Sequence, residues 1–201
     1  MKTYKIHLIR HGMTDANIRS VYVGSRTDLP LSPEGVKELS LLRENIEYPT
    51  VDAVYTSPML RCRQTAGVLY SGFEPIPVDE LTEYDFGEFE GKTASALEKD
   101  ERYINWTSGK LTAAPGGEDG TDFVKRLALG FNTVVRDMME KGIYESAVIM
   151  HGGAIMMLLA ATAVPRKRSV EWTSENGRGY SVLVTPSLYH SSGIIEVYDY
   201  I

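Results

Sequence analysis

Two histidines in this chain stand directly before a glycine where an apolar run ends. Ile6, Leu8 and Ile9 lead to Arg10-His11-Gly12, and Ala147-Val148-Ile149-Met150 leads to His151-Gly152. A neutral imidazole is a nucleophile at physiological pH. Arg10 adds a fixed positive charge on a planar fork of donors that suits phosphate oxygens. Gly12 lets the backbone turn sharply and lets a ligand come close. Arg61 and Asn17 supply further donors. Set around one point, Arg10, Asn17, Arg61 and His151 can surround the equatorial oxygens of a phosphoryl group. Such preorganised donors contribute on the order of 10²–10³ in rate apiece. Each histidine also has an ordinary alternative: a solvated Arg-His pair at a strand end for His11, a satisfied core histidine for His151.

These residues need a scaffold that brings two strand ends to one edge, and the pattern predicts one. Residues 4–9, 52–56, 76–78 and 146–150 read as buried strands, and residues 180–185 and 194–198 as closing strands. Ser32-Pro33 is a helix start, with Ser as N-cap and Pro at the first helical position. Val36, Leu39, Leu42 and Ile46 continue it as a stripe. Ser57-Pro58 repeats that signal for a helix running to about Tyr70 and carrying Arg61 in its first turn. Phe123, Leu127, Phe131, Val134 and Met138 mark a long amphipathic helix ended by Lys141-Gly142. Residues 154–163 read as a buried helix. Strands alternating with helices predict an α/β sandwich of three layers, with a mostly parallel sheet and helices on both faces. In such sheets ligands sit beyond the carboxyl ends of the strands. The loop over 12–31 is long enough to suggest a functional role. Residues 81–120 turn charged and glycine-rich, with short helical pieces near 93–108, and read as a small insertion over the site. The whole of 1–201 is expected to be one domain with that insertion.

An ordered series of motifs resembles the histidine phosphatase superfamily, the phosphoglycerate-mutase-like proteins. It comprises Arg10-His-Gly-Met-Thr-Asp-Ala-Asn17, Tyr22-Val-Gly24, Asp28-Leu-Pro-Leu-Ser-Pro-Glu-Gly35 and Thr56-Ser-Pro-Met-Leu-Arg-Cys-Arg-Gln-Thr-Ala66. It continues through Leu81-Thr-Glu83, Phe86-Gly-Glu-Phe-Glu-Gly91, Pro115-Gly-Gly-Glu118 and His151-Gly-Gly153. The resemblance implies that His11 accepts the phosphoryl group and that Glu83 first gives a proton to the leaving group and then takes one from water. It implies His151 beside them, and Arg10, Asn17, Gly24, Arg61 and Gly152 around the phosphate. Within the family the Glu83 region is similar to the phosphatase branch, including alpha-ribazole and broad-specificity phosphatases. Met13 and Val23 stand where mutase members carry Glu and a hydroxyl residue, and Phe89 stands where the phosphatase branch commonly has Trp. The expected activity is therefore hydrolysis of a small phosphomonoester. A phosphoglycerate mutase and a non-catalytic phospholigand-binding module are the alternatives. Glu83 lies in an acidic run with Asp85, Glu88 and Glu90, so a solvated face is its own alternative.

Composition narrows the rest. The 201 residues carry 43% apolar and 24% charged side chains, ordinary for a globular protein. A net charge of −6 argues against nucleic acid or an anionic membrane as the main partner. No apolar run suits a signal peptide or a membrane span, so a cytoplasmic location is expected. Cys62 is the only cysteine, which rules out an intrachain disulfide. It also lacks the loop of a cysteine phosphatase, because position 68 is Val where Arg would be required. Gly87-Glu-Phe-Glu-Gly-Lys-Thr93 is one residue short of a nucleotide-binding P-loop, and its two glutamates would repel phosphate. The carboxylates from 83 to 90 lack the spacing of a metal loop, so no metal and no cofactor is expected. His7, His190 and Arg166-Lys-Arg168 are read as structural or solvated. Neither the alcohol half of the substrate nor the oligomeric state is encoded in a readable motif.

Overall fold

The computed structural model describes residues 2–201. Seven strands form one sheet: β1 (Tyr4–Arg10), β2 (Ala53–Thr56), β3 (Ile76–Pro77), β4 (Glu145–Met150), β5 (Ala163–Val164), β6 (Gly179–Val184) and β7 (Ile195–Tyr200). Their spatial order is β3-β2-β4-β1-β6-β7-β5. Only β6 runs against the others. The sheet is thus mostly parallel, with β1 and β4 paired at its centre.

Side chains alternate across a strand, and here the alternation builds two cores. Ile6 and Leu8 of β1 and Val148 and Met150 of β4 face one of them. Ile9, Ala147 and Ile149 face the other. The first core is closed by α6 (Gly120–Lys141) and α7 (Gly152–Thr162). All five residues of the expected stripe, from Phe123 to Met138, are buried there. Asp119 caps the start of α6 through the Thr121 N–H, and Gly142 ends it in the left-handed region at φ 70°. The second core is closed by α2 (Pro33–Asn45) and α3 (Leu60–Leu69), through Leu39, Cys62, Ala66 and Leu69.

Two expectations need correction. Val36 is exposed, so the stripe of α2 starts at Leu39. Ser57 does not cap α3: the N-cap position belongs to Met59, which makes no side-chain cap bond. The Ser57 hydroxyl is engaged by His151 instead, since a buried ring N–H must find an acceptor. Four short helices complete the chain: α1 (Asp15–Ile18) inside the 12–31 loop, α4 (Ala94–Leu97), α5 (Glu101–Thr107) and α8 (Pro186–Ser192). The insertion is tied to the first loop by the Val21–Thr93 bridge and by Tyr22, whose backbone bonds Lys92 and Gly91. The Tyr22 ring packs on Phe86, Tyr103 and Trp106.

Candidate active site

Parallel pairing of β1 with β4 puts Arg10 opposite Met150, so the next residues leave the sheet side by side. The His11 amide bonds the Met150 carbonyl at 2.9 Å, and the two imidazoles lie 5.3 Å apart at 66°. The juxtaposition expected from the two His-Gly pairs is present.

The His11 ring is 6% exposed. Its Nδ1 lies 2.7 Å from the Gly12 carbonyl, and a carbonyl only accepts, so Nδ1 carries the proton. Nε2 then holds a lone pair with no protein partner. Burial, then Arg61 and Arg10, push the His11 pKa down to about 3 against the pull of the Gly12 carbonyl. The ring is neutral and its free nitrogen is nucleophilic at any ordinary pH.

Arg61 is 1% exposed. Its Nε donates to His151 Nδ1 at 3.3 Å, and its two terminal nitrogens donate to the carbonyls of Thr27 and Gly24 at 3.1 and 3.4 Å. Arg10 donates through Nη1 to the Ser174 carbonyl at 2.7 Å, while its buried Nε has no partner. Among the described residues neither arginine forms an ion pair with a carboxylate. Burying an unpaired charge costs several kcal/mol, so the buried Arg61 and the half-buried Arg10, with its unpartnered Nε, both favour an anion nearby. At Gly152 a Cβ would lie 3.1 Å from Arg10 Nε, so the glycine leaves the Arg10 side chain its present position without a shift.

His151 is fully buried, and both its nitrogens are used by protein. Nδ1 accepts from Arg61, so Nε2 carries the proton and donates to Ser57 Oγ at 2.8 Å. Burial, with Arg61 and His11 adding to it, holds its pKa well below the usual histidine range. In this arrangement His151 orients Arg61 rather than pointing a free N–H into the cavity. Asn17 accepts from the Thr14 amide and hydroxyl at 3.0 Å through Oδ1, which leaves its Nδ2 amide free.

Glu83 is 7% exposed. Its carboxylate accepts from the Tyr84 amide at 2.9 Å and the Gly153 amide at 3.2 Å. A Cβ on residue 153 would come within 2.9 Å of that carboxylate, so glycine is what lets it approach α7. Burial raises the Glu83 pKa, outweighing those amides and the two arginines. The solvated-face alternative for Glu83 is thereby excluded. His11, Arg10, Asn17, Glu83 and Gly152 line one cavity of about 200 Å³, bounded also by Tyr22 and Phe86. It opens at the first turn of α7, where amides and the helix dipole favour an anion. A larger cavity of about 660 Å³ between α2 and residues 174–178 touches Arg10 but neither His11 nor Glu83. Size does not mark the chemistry here.

Arg61 therefore sits inside the cluster with Gly24 as its acceptor, rather than at the surface. Two supports escaped the sequence. Ser57 was visible as a motif residue but carried the signature of a helix cap. Asn176 donates to the His11 carbonyl at 2.8 Å from 165 positions away and has no local signature. The remaining chemistry-bearing residues are spent elsewhere. Burial pushes the Cys62 thiol up, so no thiolate is available. His7 lies between Ser181 and Glu145 at 2.8 and 3.1 Å. Arg166, Lys167 and Arg168 engage the Ala161 carbonyl, the Trp172 ring and Glu171. Among the described residues no three His, Cys, Asp or Glu side chains converge as a metal-ligand set, and no helix is long and apolar enough to cross a membrane.

A broad-specificity phosphatase of Saccharomyces cerevisiae is 30% identical over 162 residues, covering 77% of this chain and 68% of that protein. The adenosylcobalamin/alpha-ribazole phosphatase of Salmonella typhimurium is 27% identical over 161 residues, covering 78% of both. The crystal structure of a phosphoglycerate mutase from Bacillus anthracis shares the fold with a TM-score of 0.79, at 20% identity over 98% of this chain and 92% of that one. The family model of the histidine phosphatase superfamily, branch 1, matches residues 6–186, and the chain belongs to that superfamily.

Proposed function

We propose that this protein hydrolyses a small phosphomonoester through a phosphohistidine on His11, without a metal ion. The observation that carries the reading is a neutral His11 in a cavity that the half-buried Arg10 also lines, with the fully buried Arg61 close enough to lower the His11 pKa and neither arginine paired with a carboxylate. Phosphoryl transfer depends chiefly on positioning and charge stabilisation, and this cluster supplies both. Arg10, the Asn17 amide and the start of α7 hold the equatorial oxygens, and the buried charge of Arg61, already felt by His11, stabilises them from outside the cavity wall. His11 Nε2 attacks in line, forming an N–P bond as the P–O bond to the alcohol breaks. Glu83 gives its proton to the departing oxygen. Water then attacks phosphorus, its proton passes to the Glu83 carboxylate, and the N–P bond breaks to release phosphate. His151 keeps Arg61 aimed by accepting its Nε–H. Phosphatase-named relatives support hydrolysis, and Met13 and Val23, which depart from the mutase pattern at the same loop, favour it over isomerisation.

Two assays test this. Incubation with 3-phosphoglycerate and trace bisphosphoglycerate is expected to release phosphate from one or both without producing 2-phosphoglycerate. Accumulation of 2-phosphoglycerate would instead mean a mutase. EDTA is expected to leave hydrolysis intact. A strong loss that Mg²⁺ or Zn²⁺ restores would contradict the metal-free reading.

The pH profile follows from the two shifted groups. A base with a lowered pKa stays active down to that lower value, so the His11 limb lies near about pH 3. An acid with a raised pKa stays protonated to higher pH, so activity on alkyl phosphates falls as pH rises through the Glu83 value. After correction for the second ionisation of the phosphate near pH 6, kcat/KM for an alkyl phosphate is expected to show no rise between pH 5 and 7. A rise through about 6.5 would show that His11 titrates as an ordinary histidine.

A further inference from the structure

We propose that the alcohol half of the substrate carries an aromatic ring, seated in an apolar pocket that adjoins the phosphate cavity. This inference rests on the hydrolase reading and extends it to a substrate class. The pocket holds about 230 Å³, and Tyr84, Phe86, Trp106, Phe123, Met156 and Met157 form its walls. No charged side chain lines it. It shares Phe86 and Gly153 with the cavity that contains His11 and Glu83.

The shared wall decides the orientation. Gly153 donates to the Glu83 carboxylate, so the proposed proton donor stands at the seam between the two spaces. An ester oxygen beside Glu83 has its phosphorus on the His11 side and its carbon chain on the apolar side. The walls are aromatic faces and edges: Phe86 meets Tyr84 at 5.1 Å in a T-shape, and Trp106 stacks on Tyr84 at 6.1 Å. An added ring finds both edge-to-face partners and two polarisable thioethers. Phe86, Trp106, Met156 and Met157 are only partly buried, so a ligand removes further apolar surface from water there. The volume lies below the roughly 300–1,000 Å³ of pockets for drug-sized ligands, which fits one ring on a short linker. The pocket disfavours a carboxylate. Arg126, which lies over the Phe123 ring, is already bound by Glu118 and the Glu80 and Thr82 carbonyls.

The test compares 2-phenylethyl phosphate, glycerol 1-phosphate and 3-phosphoglycerate, whose leaving groups are all alkyl alcohols. The wild-type kcat/KM for the phenylethyl ester is expected to exceed the other two by on the order of 10- to 100-fold, the value of burying one ring. Met157→Lys, at a half-buried position, is expected to reduce that ratio about ten-fold or more. A measurement independent of any variant uses the wild-type melting temperature, which 2-phenylethylphosphonate is expected to raise more than ethylphosphonate at equal concentration. Hydrolysis of all three esters at similar kcat/KM, or a preference for glycerol phosphate or 3-phosphoglycerate, overturns the aromatic assignment and leaves the hydrolase intact. If no ester is hydrolysed, the underlying reading fails, and the phosphonate pair still decides the pocket: equal protection overturns it.

Discussion

Replacing His11 with alanine is expected to reduce turnover of every phosphomonoester by on the order of 10⁴-fold or more, the range seen when an enzyme loses its nucleophile. The expectation comes from geometry rather than from the mere presence of a histidine. Nδ1 is committed to the Gly12 carbonyl, so the only available lone pair is on Nε2, inside the cavity. No second nucleophile stands ready. His151 has both nitrogens engaged, and the Cys62 thiol is held protonated by burial. Arg10 and Arg61 remain in the variant, so inorganic phosphate is expected still to bind. Steady-state kinetics with a phosphate-binding titration and a circular dichroism spectrum check all three points. Retention of more than a few per cent of wild-type turnover would exclude His11 as the acceptor.

Glu83→Gln is expected to slow alkyl phosphate hydrolysis by about 10²–10⁴-fold, the usual value of a positioned acid–base group. The effect should depend on the leaving group. An alkoxide needs a proton in the transition state, whereas p-nitrophenolate needs it much less. The burst of His11 phosphorylation by p-nitrophenyl phosphate is therefore expected to be far less affected. Part of the loss has a structural origin. A glutamine keeps one acceptor for the Tyr84 and Gly153 amides, and its NH₂ opposes the other, leaving one donor unmet at roughly 1–3 kcal/mol. That cost falls equally on both substrates, so it cannot imitate a leaving-group dependence. Equal losses on both would remove Glu83 as the acid and turn attention to Asp85 and Glu88.

The parts of this molecule legible in sequence are those with long periods or strong punctuation. The 22 residues of α6 show five stripe residues between an Asp cap and a Gly stop. The ends of β1 and β4 were legible because an apolar run broken by His-Gly has few other uses. Short elements were not: α1 and α8 span 4 and 7 residues, too few for a period to emerge. Ser57 was misplaced because Ser-Pro is a helix-start signal on local grounds, and tertiary contact with His151 outweighed it. The same contact changes the reading of His151, whose free N–H was expected at the phosphate and is used by Ser57. Asn176 was invisible because its bond to the His11 carbonyl depends on how residues 174–178 fold back over β1. Gly24 came from family pattern alone, and its carbonyl now has a physical partner in Arg61.

The central claim is that the phosphoryl group passes through His11 Nε2. Rapid acid-free quenching with ³²P-labelled substrate, followed by peptide mapping, tests it most directly. The account predicts a base-stable, acid-labile adduct on the peptide containing His11, formed at least as fast as turnover and missing from His11→Ala. Full turnover with no trapped label at any quench time, or label on another residue at a competent rate, would contradict it.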